Sequence, residues 1–135
     1  RRLWCVHSDD GLDEISCSAP TTVTQIFDGE KSQFIISPET VGRDFADLDL
    51  LRVDTPKQSF HLIEKALQKG NESKEVQAAR LIISLNAGAA LFIAEQTQSF
   101  KAGVEMAEDI LYSGTALEKV QQFAEFTQIL KQVDA

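Results

Sequence analysis

Leu3-Trp4-Cys5-Val6-His7-Ser8-Asp9-Asp10-Gly11-Leu12-Asp13-Glu14-Ile15-Ser16 runs from an apolar segment straight into a knot of carboxylates. Leu3 to Val6 are apolar at successive positions, the pattern of a strand covered on both faces in a parallel sheet. Open α/β sheets hold their chemistry beyond the C-terminal ends of such strands. The acids Asp9, Asp10, Asp13 and Glu14 stand there, interrupted only by Gly11 and Leu12. Charge this dense needs water, helix N-terminal amides or a cation to offset it. Spacing alone leaves two outcomes open. One is a helix start capped by Asp9 or Asp10, with Asp13 and Glu14 favoured by the helix dipole. The other is a site for a hard cation such as magnesium, which takes carboxylate and water oxygens and shares its remaining positions with substrate phosphates. His7 reads as an acid or base or, since no partner for it is visible, as a hydrogen-bonded histidine that shapes the turn.

Outward from this stretch, Thr21 to Phe27 is β-branched and strand-like, Asp28-Gly29-Glu30-Lys31 supplies a turn, and Ser32 to Ile36 forms the second arm of a β-hairpin. Ser37-Pro38-Glu39-Thr40 is a helix-entry signal closed by Gly42. Arg43 to Pro56 is irregular, a loop with a helical turn draped over the sheet. Helical spacing returns from Pro56 to Lys69, through Phe60, Ile63 and Leu67, with Gly70-Asn71 as its end. The longest helical pattern runs from Glu75 to about Thr97 and is apolar around so much of its circumference that it must be largely buried. Its patch Asn86-Ala87-Gly88-Ala89-Ala90 admits a second backbone at close range, and Asn86 is expected to hydrogen-bond a loop. Ser99 caps a helix through Leu111 that Ser113-Gly114 stops. A last helix from Thr115 places Leu117, Val120, Phe123 and Leu130 inward, with Lys131 complementing its dipole. The fold class expected is α/β, a mixed and mostly parallel sheet with a β-hairpin and packed helices.

At 135 residues and 43% hydrophobic content the chain suits one domain with a real core. A formal net charge of -8 without a Lys/Arg run argues against binding nucleic acid or an anionic membrane. No apolar run approaches the roughly 18 residues of a membrane span and no signal-peptide pattern is read, so a cytoplasmic location is expected. Cys5 and Cys17 have no zinc or redox spacing and read as buried thiols. The chain opens at Arg1 and enters an apolar run within two residues, which suggests a fragment of a longer protein.

Val6 to Ser16 resembles the magnesium-binding signature of the bacterial anthranilate phosphoribosyltransferase family. The similarity continues through Phe27-Asp28-Gly29-Glu30, Ile36-Ser37-Pro38-Glu39, Leu85-Asn86-Ala87-Gly88-Ala89-Ala90-Leu91, Ala102-Gly103-Val104-Glu105-Met106-Ala107 and Ser113-Gly114. Those segments in series cover essentially the whole chain. The resemblance implies a nucleoside phosphorylase/phosphoribosyltransferase-like fold and a role in tryptophan biosynthesis. The reaction implied is transfer of the phosphoribosyl group from phosphoribosyl pyrophosphate to the amine of anthranilate, with release of pyrophosphate. It implies Mg2+ as cofactor, held by Asp13 and Glu14, with Asp9 and Asp10 in support, and a homodimeric parent enzyme. It also implies that residues 1–135 are the C-terminal portion of the catalytic domain, with the N-terminal helical domain, the glycine-rich phosphate loop and the anthranilate contacts outside the chain. On that reading this polypeptide alone is inactive. The pattern departs at Val53-Asp54-Thr55-Pro56-Lys57-Gln58-Ser59, where many relatives carry a glycine pair followed by glutamate-asparagine. The alternatives are a noncatalytic or structural domain of the same fold, against which the net charge and the retained Asp13-Glu14 pair count, or a related nucleoside phosphorylase.

Overall fold

The computed structural model describes residues 2–70 and 73–133, without the side chains of residues 131–133. The helices follow the local signals of the chain; Asn71, expected as part of a helix stop, and the Lys131 side chain lie outside the described residues. Strands β1 (Arg2–Ser8), β2 (Thr21–Phe27) and β3 (Glu30–Ile36) are followed by helices α1 (Pro56–Leu67), α2 (Lys74–Ile93), α3 (Phe100–Ser113) and α4 (Thr115–Val133). The mixed α/β class and the β2-β3 hairpin stand as expected. The hairpin turns on Asp28 and Gly29, whose φ angles of 49° and 89° match the strand twist as a two-residue primed turn.

The parallel arrangement does not hold. The described strands form a sheet in the order β1-β2-β3, with Val6 paired to Val23 and Val23 to Phe34 in antiparallel register throughout. Parallel pairing needs a crossover element, usually a helix, and the segment between β1 and β2 contains none. Nor is β1 covered on both faces. Arg2, Trp4 and Val6 are half-buried toward the helices, while Leu3, Cys5 and His7 are exposed. Leu3 is 55% exposed and Ile35, on the same open face, 68%. Among the described residues only one side of the sheet receives helices, so an unbroken apolar run here is split by the pleat into a packed and an open set.

The packed side is built around Val23, Ile36, Leu85, Ala89, Phe100 and Val104, with Ile15 and Cys17 contributed by the loop after β1. Trp4 anchors β1 against it. Its ring meets Phe34, Phe92 and Phe100 edge-on at centroid distances of 5.5, 5.5 and 5.6 Å, and its indole N–H donates to Gln25 Oε1 at 2.9 Å. These edge-to-face contacts add to area burial. Helix α2 is long and apolar enough to cross a membrane by length and composition, with a mean hydropathy of 1.6. Here it is the core helix, lying between the sheet and α3 and burying Arg80. The Arg80 guanidinium donates to Ala66 O at 2.9 Å and to Gln68 O, and lies over the Tyr112 ring. It thereby satisfies carbonyls at the C-terminal end of α1 that the helix leaves open.

Gly88 of α2 and Gly103 of α3 meet backbone to backbone, the close approach expected of the small-residue patch. Arg43, after the 3-10 turn Pro38–Val41 that Gly42 closes, forms a two-point ion pair with Glu108 of α3 at 2.8 and 2.5 Å. The last helix differs from expectation: Val120, Phe123 and Leu130 are 42%, 67% and 47% exposed rather than inward. Past its first turn α4 has no facing element among the described residues, and its apolar stripe stays exposed.

The cysteines part company as well. Cys17 is buried, whereas Cys5, expected to be buried too, is exposed on the open sheet face. Burial, which outweighs the help of a backbone amide, pushes the Cys17 thiol up to about 11, with the charges of Asp10 and Glu14 adding to the effect. At pH 8 roughly a thousandth of it is thiolate. One equivalent of an alkylating reagent is therefore expected to modify Cys5, with Cys17 reacting only after denaturant is added. Mass spectrometry of the labelled peptides reads the outcome directly.

Candidate divalent-cation site

The acidic segment does not start a helix. Residues 9–20 form an irregular loop that returns the chain from β1 to β2, because its side chains bond to the loop's own backbone and to one another in competition with helix formation. Asp10 is the organiser. Its carboxylate accepts from the hydroxyls of Ser16 and Ser18 and from the Leu12 amide. Ser16 in turn accepts from the amides of Ser18 and Ala19 at 2.9 and 3.2 Å, and its own amide donates to Thr21 Oγ1 at 3.1 Å. Partial burial raises the Asp10 titration, but the hydrogen bonds from Ser16, the Leu12 amide and Ser18 prevail and hold it below the ordinary 3.8. A carboxyl depressed on folding contributes stability above its unfolded value and loses it as pH falls through the folded one. Amides of residues 9–20 are thus expected to lose hydrogen-exchange protection as pH drops below 3.8, before the helices do, which an exchange series corrected for intrinsic rates would detect.

The other end of the loop is tied to α2. Asn86 makes the loop contact expected of it, bonding both the N–H and the C=O of Ile15 at 2.9 Å. Ile15 itself is 2% exposed. Between the Asp10 network and this tether stand Asp13 and Glu14, both exposed. Partial desolvation and then the adjacent Asp13 charge raise the Glu14 titration. That is the electrostatic situation a cation relieves.

Glu14 lines a cleft of about 340 Å³ together with Leu12, Leu48, Leu51, Arg52 and Ile82. Arg52, whose Nε donates to Asp49 at 3.0 Å, brings a guanidinium to the same cleft. Nothing in the irregular stretch around Arg52 announced this neighbour of Glu14, since the two meet only through the packing of the 3-10 turn Leu48–Leu51 on α2. Asp9 is exposed and joins the loop through its backbone, its amide donating to Pro20 O at 3.0 Å. His7, expected to be hydrogen-bonded, projects from the open sheet face, and its side chain makes no hydrogen bond to the described residues.

Among the described residues no group of three or more His, Cys, Asp or Glu side chains converges as a complete metal cage. Two adjacent exposed carboxylates still suit magnesium, which keeps several waters and takes oxygens from a bound phosphate. The residues present therefore fit a cation shared with a substrate, and do not fit a cation held by protein alone.

The comparisons agree with this architecture. Residues 1–117 match the model of a glycosyl transferase family, α/β domain. The anthranilate phosphoribosyltransferase of Pseudomonas putida is 44% identical over 131 residues, 97% of this chain and 37% of the relative. The crystal structure of anthranilate phosphoribosyltransferase from Thermus thermophilus superposes with a TM-score of 0.78 at 28% identity, over 94% of this chain and 36% of that one. The Saccharomyces cerevisiae enzyme in complex with PRPP and Mg has a TM-score of 0.70 at 22% identity, over 89% of this chain and 33% of that one, and speaks to the fold. The chain thus spans a little over a third of the length of these relatives. Matched over most of its length by the family model, the chain belongs to this glycosyl transferase family, within its α/β domain.

Proposed function

We propose that this chain carries the divalent-cation arm of an anthranilate phosphoribosyltransferase of tryptophan biosynthesis. The observation that carries the reading is the exposed Asp13-Glu14 pair, held between two loop anchors beside a cleft that also presents Arg52. The names of the relatives support the reaction class, and the yeast complex with PRPP and Mg supports the substrate and the ion. In the full-length protein the amine nitrogen of anthranilate forms a bond to the ribose carbon as the bond from that carbon to the pyrophosphate oxygen breaks. The electron pair leaves on pyrophosphate and the amine proton passes to solvent. Magnesium, when bound, neutralises charge on the departing pyrophosphate.

The chain's own contribution is to present two oxygens in a fixed place. Asp13 and Glu14 would hold the ion directly or through its waters, while Asp10 and Asn86 keep their backbone from following the ligand. Substrate positioning by residues outside the chain is as necessary as the ion, because orientation supplies a large part of the barrier reduction in such transfers. A homodimeric full-length enzyme in the cytoplasm completes the proposal.

The 135-residue polypeptide alone is accordingly expected to be silent. A coupled assay for anthranilate-dependent pyrophosphate release should show turnover with the full-length protein and none with this chain at equal concentration. Turnover by the isolated chain, or none by the full-length protein, would overturn the proposal.

A further inference from the structure

Asn86 sits in the middle of α2, and all three of its side-chain hydrogen bonds go to backbone. Oδ1 accepts from Ile15 N–H at 2.9 Å, while Nδ2 donates to Ile15 C=O at 2.9 Å and to Ile82 C=O, one turn back on its own helix, at 2.9 Å. Only the amide oxygen can accept from the Ile15 N–H, so the network itself sets which way the amide faces. The two bonds to Ile15 imitate a hydrogen-bonded pair between antiparallel strands. The bond to Ile82 fixes the amide plane relative to the helix. The Ile15 side chain, seated in the core at 2% exposure, adds an apolar lock at the same residue.

Glu14 and Asp13 are the two residues that immediately precede this lock. Their backbone is therefore gripped from one side by α2 and from the other by the Leu12-Asp10 bond. Ile82, whose carbonyl orients the amide, also lines the cleft beside Glu14. We infer that Asn86 is a positioning residue for the Asp13-Glu14 pair, setting where the two carboxylates stand above the cleft without touching the cation or the substrate. The inference rests on the reading of that pair as cation ligands. Its physical logic is that of an outer-shell group, whose loss weakens a metal site by letting the ligands wander.

The probe is Mn2+ titrated, at saturating inorganic pyrophosphate, into the isotope-labelled full-length protein while paramagnetic broadening of the Leu12 to Ser16 amides is followed by NMR. All samples are held well below their melting temperatures. Asn86→Leu removes every bond to Ile15 at similar volume, and Asn86→Gln, the milder second variant, keeps the amide but displaces it by one methylene. In both, the Mn2+ concentration that half-broadens these amides is expected to rise, by roughly tenfold in Asn86→Leu, and the Ile15 amide is expected to exchange faster. Glu14→Gln is the control for the underlying reading. If Glu14→Gln raises the midpoint but neither Asn86 variant does, even where their melting temperatures fall, Asn86 is merely structural and the inference is overturned while the cation reading stands. If Glu14→Gln leaves the midpoint where it was, the cation reading fails and the inference falls with it.

Discussion

Gly103→Ala is expected to lower stability by about 3 kcal/mol and the melting temperature by roughly 10 °C. A Cβ built at Gly103 would lie 2.3 Å from the Gly88 carbonyl oxygen, and one at Gly88 would lie 2.5 Å from the Val104 nitrogen. Both obstacles are backbone, so no side-chain rotation relieves them. Helices α2 and α3 must separate, and Leu85, Ala89, Phe100 and Val104 lose contact together. Gly88→Ala is expected to cost a similar amount, and the double variant less than the sum, because one separation of the helices accommodates both methyls. Gly11→Ala provides the comparison. Its φ of 88° strains any side chain, but nothing lies within 4 Å, so it should cost only about 1 kcal/mol. Urea unfolding of the three single variants ranks them. A Gly103→Ala protein as stable as Gly11→Ala would mean that the helix crossing is looser than its geometry requires.

Replacing both carboxylates, Asp13→Asn with Glu14→Gln, is expected to reduce kcat/KM of the full-length enzyme by roughly 10²- to 10³-fold, or about 3 to 4 kcal/mol of transition-state stabilisation. The fold should not suffer. Ionised Glu14 works against the folded loop, since burial and the neighbouring Asp13 charge both raise its titration; neutralising the pair removes a repulsion and leaves Asp10, Ser16 and Asn86 in place. The melting temperature without ligand is therefore expected to stay level or rise while activity falls. Raising Mg2+ should recover part of the loss in each single variant, where one carboxylate remains, and little in the double variant. A double variant with unimpaired kcat/KM and an unchanged Mg2+ requirement would move the ion to other residues.

The helices were the most legible part of the chain. Pro56 opens α1, Ser99 accepts from the third helical amide of α3 and Gly114 closes α3 with a φ of 85°, as expected; the Thr55-Gln58 capping box of α1 and the Ser73 cap of α2 are further local signals that were not among the expectations. Each signal lies within a few residues of the group it satisfies, so no distant element can overrule it cheaply. The Asp28-Gly29 turn and the small residues around Gly88 were readable for the same reason, as was the family resemblance carried by the ordered motifs.

The run Leu3 to Val6 and the acids after it were not decided locally. Whether an apolar strand is covered on one face or two depends on what the remaining chain lays against it, and here α2 and α3 occupy one side only. Whether Asp9 to Glu14 enter a helix depends on Ser16 and Ser18, which draw Asp10 into a loop, and on Asn86, which holds Ile15 from 71 positions away. Arg52 reaches the cleft of Glu14, and the stripe of Phe123 and Phe126 stays exposed, for the same kind of reason. Composition and order were enough to establish the Ser99 and Gly114 caps, the hairpin and the family. Strand direction, the covered face and the company the carboxylates keep came from packing, because those are set by the free energy of contacts between segments that the order of residues alone does not bring together.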